Sequence, residues 1–233
     1  AYYELFANGL HIATAAYEQG DPALGLERSN HADLGLQWRG AQQSARINLF
    51  AMQFSRFISL DATGATVDLP DEDGGMASVP VYRFSGVPAR LWGLEMEGRQ
   101  AWQVANWQWE ASATLDLTRA IHRDTGEALP RIAPMRIGLG LETSRDGWKF
   151  GAGVKHTAAQ ARVPDTDVAT PSHTLLNLWL SRQLQWGAAD VALFVKLDNV
   201  TDELAYSAAA IRTVRELTPL PGRSASAGVE LRF

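Results

Sequence analysis

Apolar and polar residues alternate along much of this chain. In Ser224-Ala225-Ser226-Ala227-Gly228-Val229-Glu230-Leu231-Arg232-Phe233 every odd position is apolar and every even one is polar or glycine. A period of two belongs to a strand with one greasy face and one wet face. The same alternation runs from Trp107 to Thr118, from Met135 to Glu142, from Trp148 to Lys155 and from Ala32 to Arg39. It is looser through 90–102, 173–184 and 189–200, and loosest through 46–58. The pattern predicts nine strands and no convincing helix. Segments 40–45, 103–106, 144–147 and 185–188 read as tight turns. Between them lie long links at 61–89, 120–133, 157–172 and 201–222, so short and long connections alternate. Compact soluble domains rarely repeat structureless loops longer than about 12–15 residues. A membrane barrel of the outer-membrane type does, with short turns on one rim and long loops on the other.

Tryptophan placement supports that geometry. Trp38, Trp102, Trp107, Trp148 and Trp186 all stand beside the tight turns, where amphipathic rings gather at the boundary of hydrocarbon and water. The opposite face of the strands carries Asp33, Glu95, Glu97, Arg99, Glu110, Asp116, Arg136, Glu142, Lys149, Lys155, Glu230 and Arg232. Mixed charges on one face of many strands fit a watery bore and would be costly in a dry core. Alternation alone fits a soluble antiparallel sandwich or small lipocalin-like barrel equally well, with the apolar face turned inward. The loop asymmetry and the tryptophans favour the membrane barrel.

Composition narrows the classes further. The chain has 233 residues, no cysteine and a net charge of -5. That excludes a disulfide scaffold, a thiolate metal site and a cysteine nucleophile, and the acidic balance argues against nucleic acid as a partner. With 8 Trp, 8 Phe and 5 Tyr, disorder is not expected. No apolar run approaches the roughly 20 residues of a membrane-spanning helix. The start, Ala1-Tyr2-Tyr3-Glu4-Leu5-Phe6, has neither a Met nor a signal-peptide pattern. The expectation is a piece of a longer protein that keeps its C-terminal end.

Several stretches resemble the TonB-dependent outer-membrane receptors. Leu193-Phe194-Val195-Lys196-Leu197-Asp198-Asn199-Val200-Thr201-Asp202-Glu203 is similar to that family's penultimate strand, and Pro221-Gly222-Arg223 with the alternating run to Phe233 resembles its terminal strand. Glu4-Leu5-Phe6-Ala7-Asn8-Gly9, then Gly20 to Asn30, and the stretch from Tyr82 to Glu97 are similar to family segments in family order. Within the family, Gly9-Leu10-His11-Ile12-Ala13-Thr14-Ala15-Ala16-Tyr17-Glu18 and Leu129-Pro130-Arg131-Ile132-Ala133-Pro134 resemble the zinc-uptake receptors. The resemblance implies an all-β, antiparallel up-and-down transmembrane β-barrel. Residues 1–233 would be its C-terminal portion, about nine strands of a 22-stranded barrel. Residues 1–29 would be an extracellular loop region and 30–233 barrel strands, with the plug domain absent. It also implies uptake of a metal, zinc or a zinc complex, energised by the TonB complex through the missing plug, in the outer membrane of a Gram-negative bacterium. A siderophore or other metallophore receptor is the alternative within transport; a soluble β-sandwich binding module is the alternative outside it.

Candidate ligands follow from placement. The five histidines, His11, His31, His122, His156 and His173, all fall in or at the mouth of long links. Imidazole is a common zinc ligand. His11 is the metal candidate on which the resemblance bears, and the other four rest on position alone. No HxxxH or HExxH spacing pairs any two of them, so ordinary surface histidines are the plain alternative. Asp61, Asp68, Asp71, Glu72 and Asp73 make one link acidic, but the spacing is not that of a calcium loop. No nucleophile elbow, phosphate loop or dinucleotide fingerprint occurs, and the reading is not an enzyme. Glu95 and Glu97 share a face with Arg99, as a charge network would. No resident cofactor is expected; zinc enters as cargo. Phe233, a terminal aromatic, resembles the signal read by the barrel assembly machinery, and its deletion from the full-length protein should impair assembly.

Overall fold

The computed structural model describes residues 1–70 and 73–232. Asp71, Glu72 and Phe233, and with them part of the acidic link and the terminal signal, lie outside the described residues. Nine strands form one antiparallel meander: β3 (Arg28–Arg39), β4 (Gln43–Pro70), β5 (Met76–Val104), β6 (Trp107–His122), β7 (Arg136–Arg145), β8 (Trp148–Thr157), β9 (His173–Trp186), β10 (Ala189–Asp198) and β11 (Ser224–Arg232). They correspond one for one to the expected strands. The short hairpin β1 (Asn8–His11) and β2 (Ala16–Gln19) and two helices of about one turn, α1 (Tyr2–Phe6) and α2 (Arg212–Arg215), complete the described elements. Helices this short carry no readable amphipathic period, which is why the sequence shows none.

Register sorts the side chains into two faces. Asn48, Glu95, Asp116 and Arg136 are successive cross-strand partners, as are Glu142, Gly151, Trp179 and Lys196. These mark the bore. On the other face, Leu34 is 68% exposed and Leu139 58%. Apolar side chains so exposed over a whole sheet face need hydrocarbon rather than water beside them. Trp38, Trp102, Trp107, Trp148 and Trp186 all alternate onto this outer face beside the short turns. Trp102 and Trp109 stack at 6.3 Å, and Arg182 lies 5.0 Å over Trp148, its charge held at the rim as an interfacial side chain requires. The turn between β7 and β8 is Asp146-Gly147 with φ of 48° and 78°, the paired positive values of a two-residue hairpin turn matched to strand twist.

The expectation for 61–89 is corrected. It is not a loop but the outer half of the β4–β5 hairpin, paired from Asp61↔Arg83 to Pro70↔Met76 with one irregularity between Ala62 and Thr66. Thr63-Gly64-Ala65 breaks the alternation and is the irregularity itself, lying between the paired Ala62↔Tyr82 and Thr66↔Pro80 with Gly64 at a φ of 78°. At about 3.3 Å per residue these strands are far longer than the 9–11 residues that cross a bilayer, so the hairpin stands well clear of the long-loop rim. β2 runs parallel to it through Tyr17↔Val81, Glu18↔Tyr82 and Gln19↔Arg83. It occupies the edge of β5 that β6 leaves free past Ala89↔His122. Residues 1–29, expected as a loop region, thus hold α1, the β1–β2 hairpin and the first two residues of β3.

A vestibule built from the long connections

Four segments far apart in sequence meet over the long-loop rim. They are the β1–β2 hairpin, the raised part of β4 and β5, and the connections 158–172 and 199–223. Together with residues around Pro130 they enclose a cavity of about 450 Å³. One wall is aromatic, with Tyr3, Phe57, Tyr82 and Phe84, and another brings Arg131 and Arg212. Tyr3 meets Phe84 edge to face at 5.8 Å.

The most deeply buried polar side chain lining the cavity is Glu18, only 1% exposed. The hairpin pairs His11 with Ala16, so the diagonal neighbour Glu18 projects on the same side as His11. Its Oε1 accepts from Thr14 Oγ1 at 2.6 Å and from His11 Nδ1 at 2.9 Å, and its Oε2 accepts from the Tyr3 hydroxyl at 2.7 Å. Burial pushes the Glu18 carboxyl up, but the hydrogen bonds from Thr14, Tyr3 and His11 outweigh it and hold the group below the ordinary carboxylate range. The same carboxylate, by its hydrogen bond and with burial, raises the Tyr3 phenol to about 12. A carboxylate only accepts, so His11 Nδ1 donates and the neutral ring keeps its lone pair on Nε2. That is the tautomer in which a histidine ligates metal, held by an outer carboxylate.

The remaining histidines do not join it. His31 lies on the bore face of β3, 3.6 Å from Asp33. His122, at the end of β6, accepts from the amides of Asp124 and Thr125. His156 alternates onto the outer face of β8 and bonds Thr174 at 2.9 Å. His173 is buried at the start of β9, with Nδ1 unpartnered among the described residues. Among the described residues no group of three or more His, Asp or Glu side chains has the geometry of a metal site. The expected charge network is present, with Arg99 donating to Glu97 at 2.9 Å, and Lys149 and Trp179 both reach Glu142 at 2.8 Å.

A second buried feature escaped sequence reasoning. Arg215 of α2 donates to both oxygens of Asp167, at 2.9 and 3.0 Å, and to the carbonyls of Val168 and Ala210. Both side chains are nearly inaccessible, at 5% and 8%. Nearby, Arg212 donates to the Thr166 carbonyl and Thr213 to that of Ala13. This clasp joins connection 199–223 to connection 158–172 and to the β1–β2 turn. Partners so distant in sequence leave no local signal. Glu18 and Thr14, by contrast, lie inside the His11 segment, and the hairpin spacing of His11 and Glu18 was the available sign.

Comparison with known proteins agrees with this architecture. The family profile "TonB dependent receptor-like, beta-barrel" matches residues 1–200. Heme/hemopexin utilization protein C of Haemophilus influenzae (strain 86-028NP) is 31% identical over 48% of this chain and 16% of its own length. The protein of that name from strain ATCC 51907 is 37% identical over 39% of the chain and 12% of its own length. The chain therefore spans a small part of these relatives. Among solved structures, the copper transporter OprC superposes with a TM-score of 0.77 at 20% identity, covering 98% of this chain and 34% of OprC. A ferric enterobactin receptor from Pseudomonas aeruginosa gives 0.62 at 19% identity, covering 93% and 33%. At such identities the likeness is one of fold. The chain belongs to the TonB-dependent receptor-like β-barrel family, proteins of the Gram-negative outer membrane.

Proposed function

We propose that this chain is the ligand-capturing wall of an uptake receptor for a metal bound in an organic complex, energised by TonB through a plug domain. The observation that carries it is the vestibule, where an aromatic wall, two arginines and the Glu18-oriented His11 surround one cavity. His11 Nε2 supplies one protein ligand. With no cluster of three ligating side chains among the described residues, a bare ion would lack coordination here, whereas a chelated metal brings its own donors. Aromatic faces hold an extended organic ligand and the arginines its carboxylates. The names of the haem utilization and ferric enterobactin proteins point the same way, while that of the copper transporter OprC names a metal alone. Zinc as the cargo is the second reading. It is favoured by the Glu18–His11 pair, in the arrangement of a carboxylate-supported zinc histidine, with further ligands from other parts of the receptor.

Calorimetry of the full-length receptor with haemin, a ferric catecholate and a zinc salt separates these. The complexed-metal reading expects one of the two complexes to bind, and His11→Ala to weaken it at least about tenfold, the worth of one ligand or charged hydrogen bond. Binding of zinc salt alone, lost in His11→Ala, favours the second reading. No effect of His11→Ala on any of the three sinks both assignments of His11.

A further inference from the structure

The outer face of β5 and β6 has an uneven distribution of charge. Trp102 and Trp109 pair at the short-turn rim, and Trp92 and Arg119 pair further along the same two strands. About ten residues separate the two pairs, roughly 33 Å of strand, and a tilt of about 45° leaves roughly 23 Å across the membrane. That is close to the ~25 Å apolar band of an outer-membrane barrel. The outward positions between them hold Leu94, Met96, Gly98 and Gln100 on β5 and Ala111, Ala113, Leu115 and Leu117 on β6, with no charge. Trp92 therefore stands at the upper boundary of the hydrocarbon, as Trp102 stands at the lower.

Two arginines flank Trp92 at that upper boundary. Arg119 is its direct cross-strand partner, and Arg90 is two residues on along β5, its guanidinium 5.2 Å over the Trp92 ring. Both point away from the bore, whose side of the sheet here is packed by Leu91, Ala120 and Leu129. Among the described residues neither guanidinium has an ion pair or hydrogen bond, whereas charges of the bore such as Arg99, Lys149 and Arg136 have acidic neighbours. An arginine on the lipid face is costly at mid-bilayer and tolerated only near the interface, where its guanidinium meets the anionic headgroups.

We propose that Arg90 and Arg119, with the Trp92 ring between them, bind the phosphate of an outer-leaflet lipid headgroup. Phosphate suits paired guanidinium forks, and Trp92 offers a face to the sugar or acyl portion beneath it. The occupant is a membrane lipid rather than a soluble anion, because the site opens toward the bilayer and not into the bore. This assignment stands apart from the cargo reading, since it concerns the opposite face of the sheet.

The test uses full-length receptor in a neutral detergent. Its thermal midpoint is followed during titration with diphosphoryl lipid A, with the same glycolipid stripped of phosphate, and with inorganic phosphate. The wild type is expected to be stabilised by the phosphorylated lipid alone. Arg90→Ala/Arg119→Ala should need at least about tenfold more lipid for the same shift, the effect of losing one charged hydrogen bond or more. Arg90→Lys/Arg119→Lys, which keeps the charge but not the guanidinium forks, should fall between the wild type and the alanine variant. An equal response of the alanine variant, an equal response to the dephosphorylated lipid, or the same shift from inorganic phosphate overturns the proposal. If the alanine pair fails to fold, Arg90→Gln and Arg119→Gln singly carry the same comparison.

Discussion

Glu18 shows how one buried carboxylate organises a loop. Three donors converge on it, so its charge is stabilised although it lies out of water. Because its folded pKa lies below that of an unfolded carboxyl, its contribution is complete above the ordinary carboxylate range. That contribution is lost as pH falls through the depressed value. Amide hydrogen exchange of residues 17–19, corrected for intrinsic rates, should therefore stay slow at neutral pH and accelerate on acidification in that window. Glu18→Gln should remove the pH step; an unaltered step would assign it elsewhere. The Arg215–Asp167 pair carries a second prediction. Asp167→Asn leaves a buried guanidinium without its counter-charge, a change that costs about 3–5 kcal/mol in comparable sites. The expected result is protease cleavage within 199–223 while the barrel strands remain intact. Arg215→Met combined with Asp167→Leu should restore part of the protection.

At the scale of elements, glycine spacing in β8 makes room for one large ring. Trp179 lies across Gly151, where a Cβ would come within 2.0 Å of the indole, and its Nε1 donates to Glu142. Gly151→Val should eject Trp179 from the bore wall. The expected signs are a red-shifted tryptophan emission and loss of the compact band on unheated gels; an unshifted spectrum would show that the wall can absorb the branch. The nine strands and their two faces were legible because alternation is a local property that every residue reports. The outer half of the β4–β5 hairpin was not, because Thr63-Gly64-Ala65 break the alternation where the register shifts, and pairing across the hairpin resumes beyond them at Thr66↔Pro80. The sequence singled out His11 but not its partner, because the β1–β2 register is what brings Glu18 beside it.

For the whole molecule the outer face decides behaviour. Leu34, Leu36, Leu139 and Val229 are exposed, each by more than half, and β3 and β11 leave their outer edges unpaired within the described residues. A greasy face with open strand edges associates in water. The isolated chain is accordingly expected to aggregate without detergent, as measured by light scattering; a monodisperse monomer with a sharp, reversible melt would contradict the outward assignment of the apolar face.

The amino-acid order by itself determined the strands and the tight turns, because these follow from period-two patterning. The tryptophans beside the short turns, together with the alternation of short and long links, favoured lipid for the apolar face. Only the tertiary structure decided the vestibule. Tyr3, His11 and Glu18 meet Tyr82, Arg131, Asp167 and Arg212 through strand register and loop docking, and contacts between residues so distant along the chain have no local pattern that could announce them.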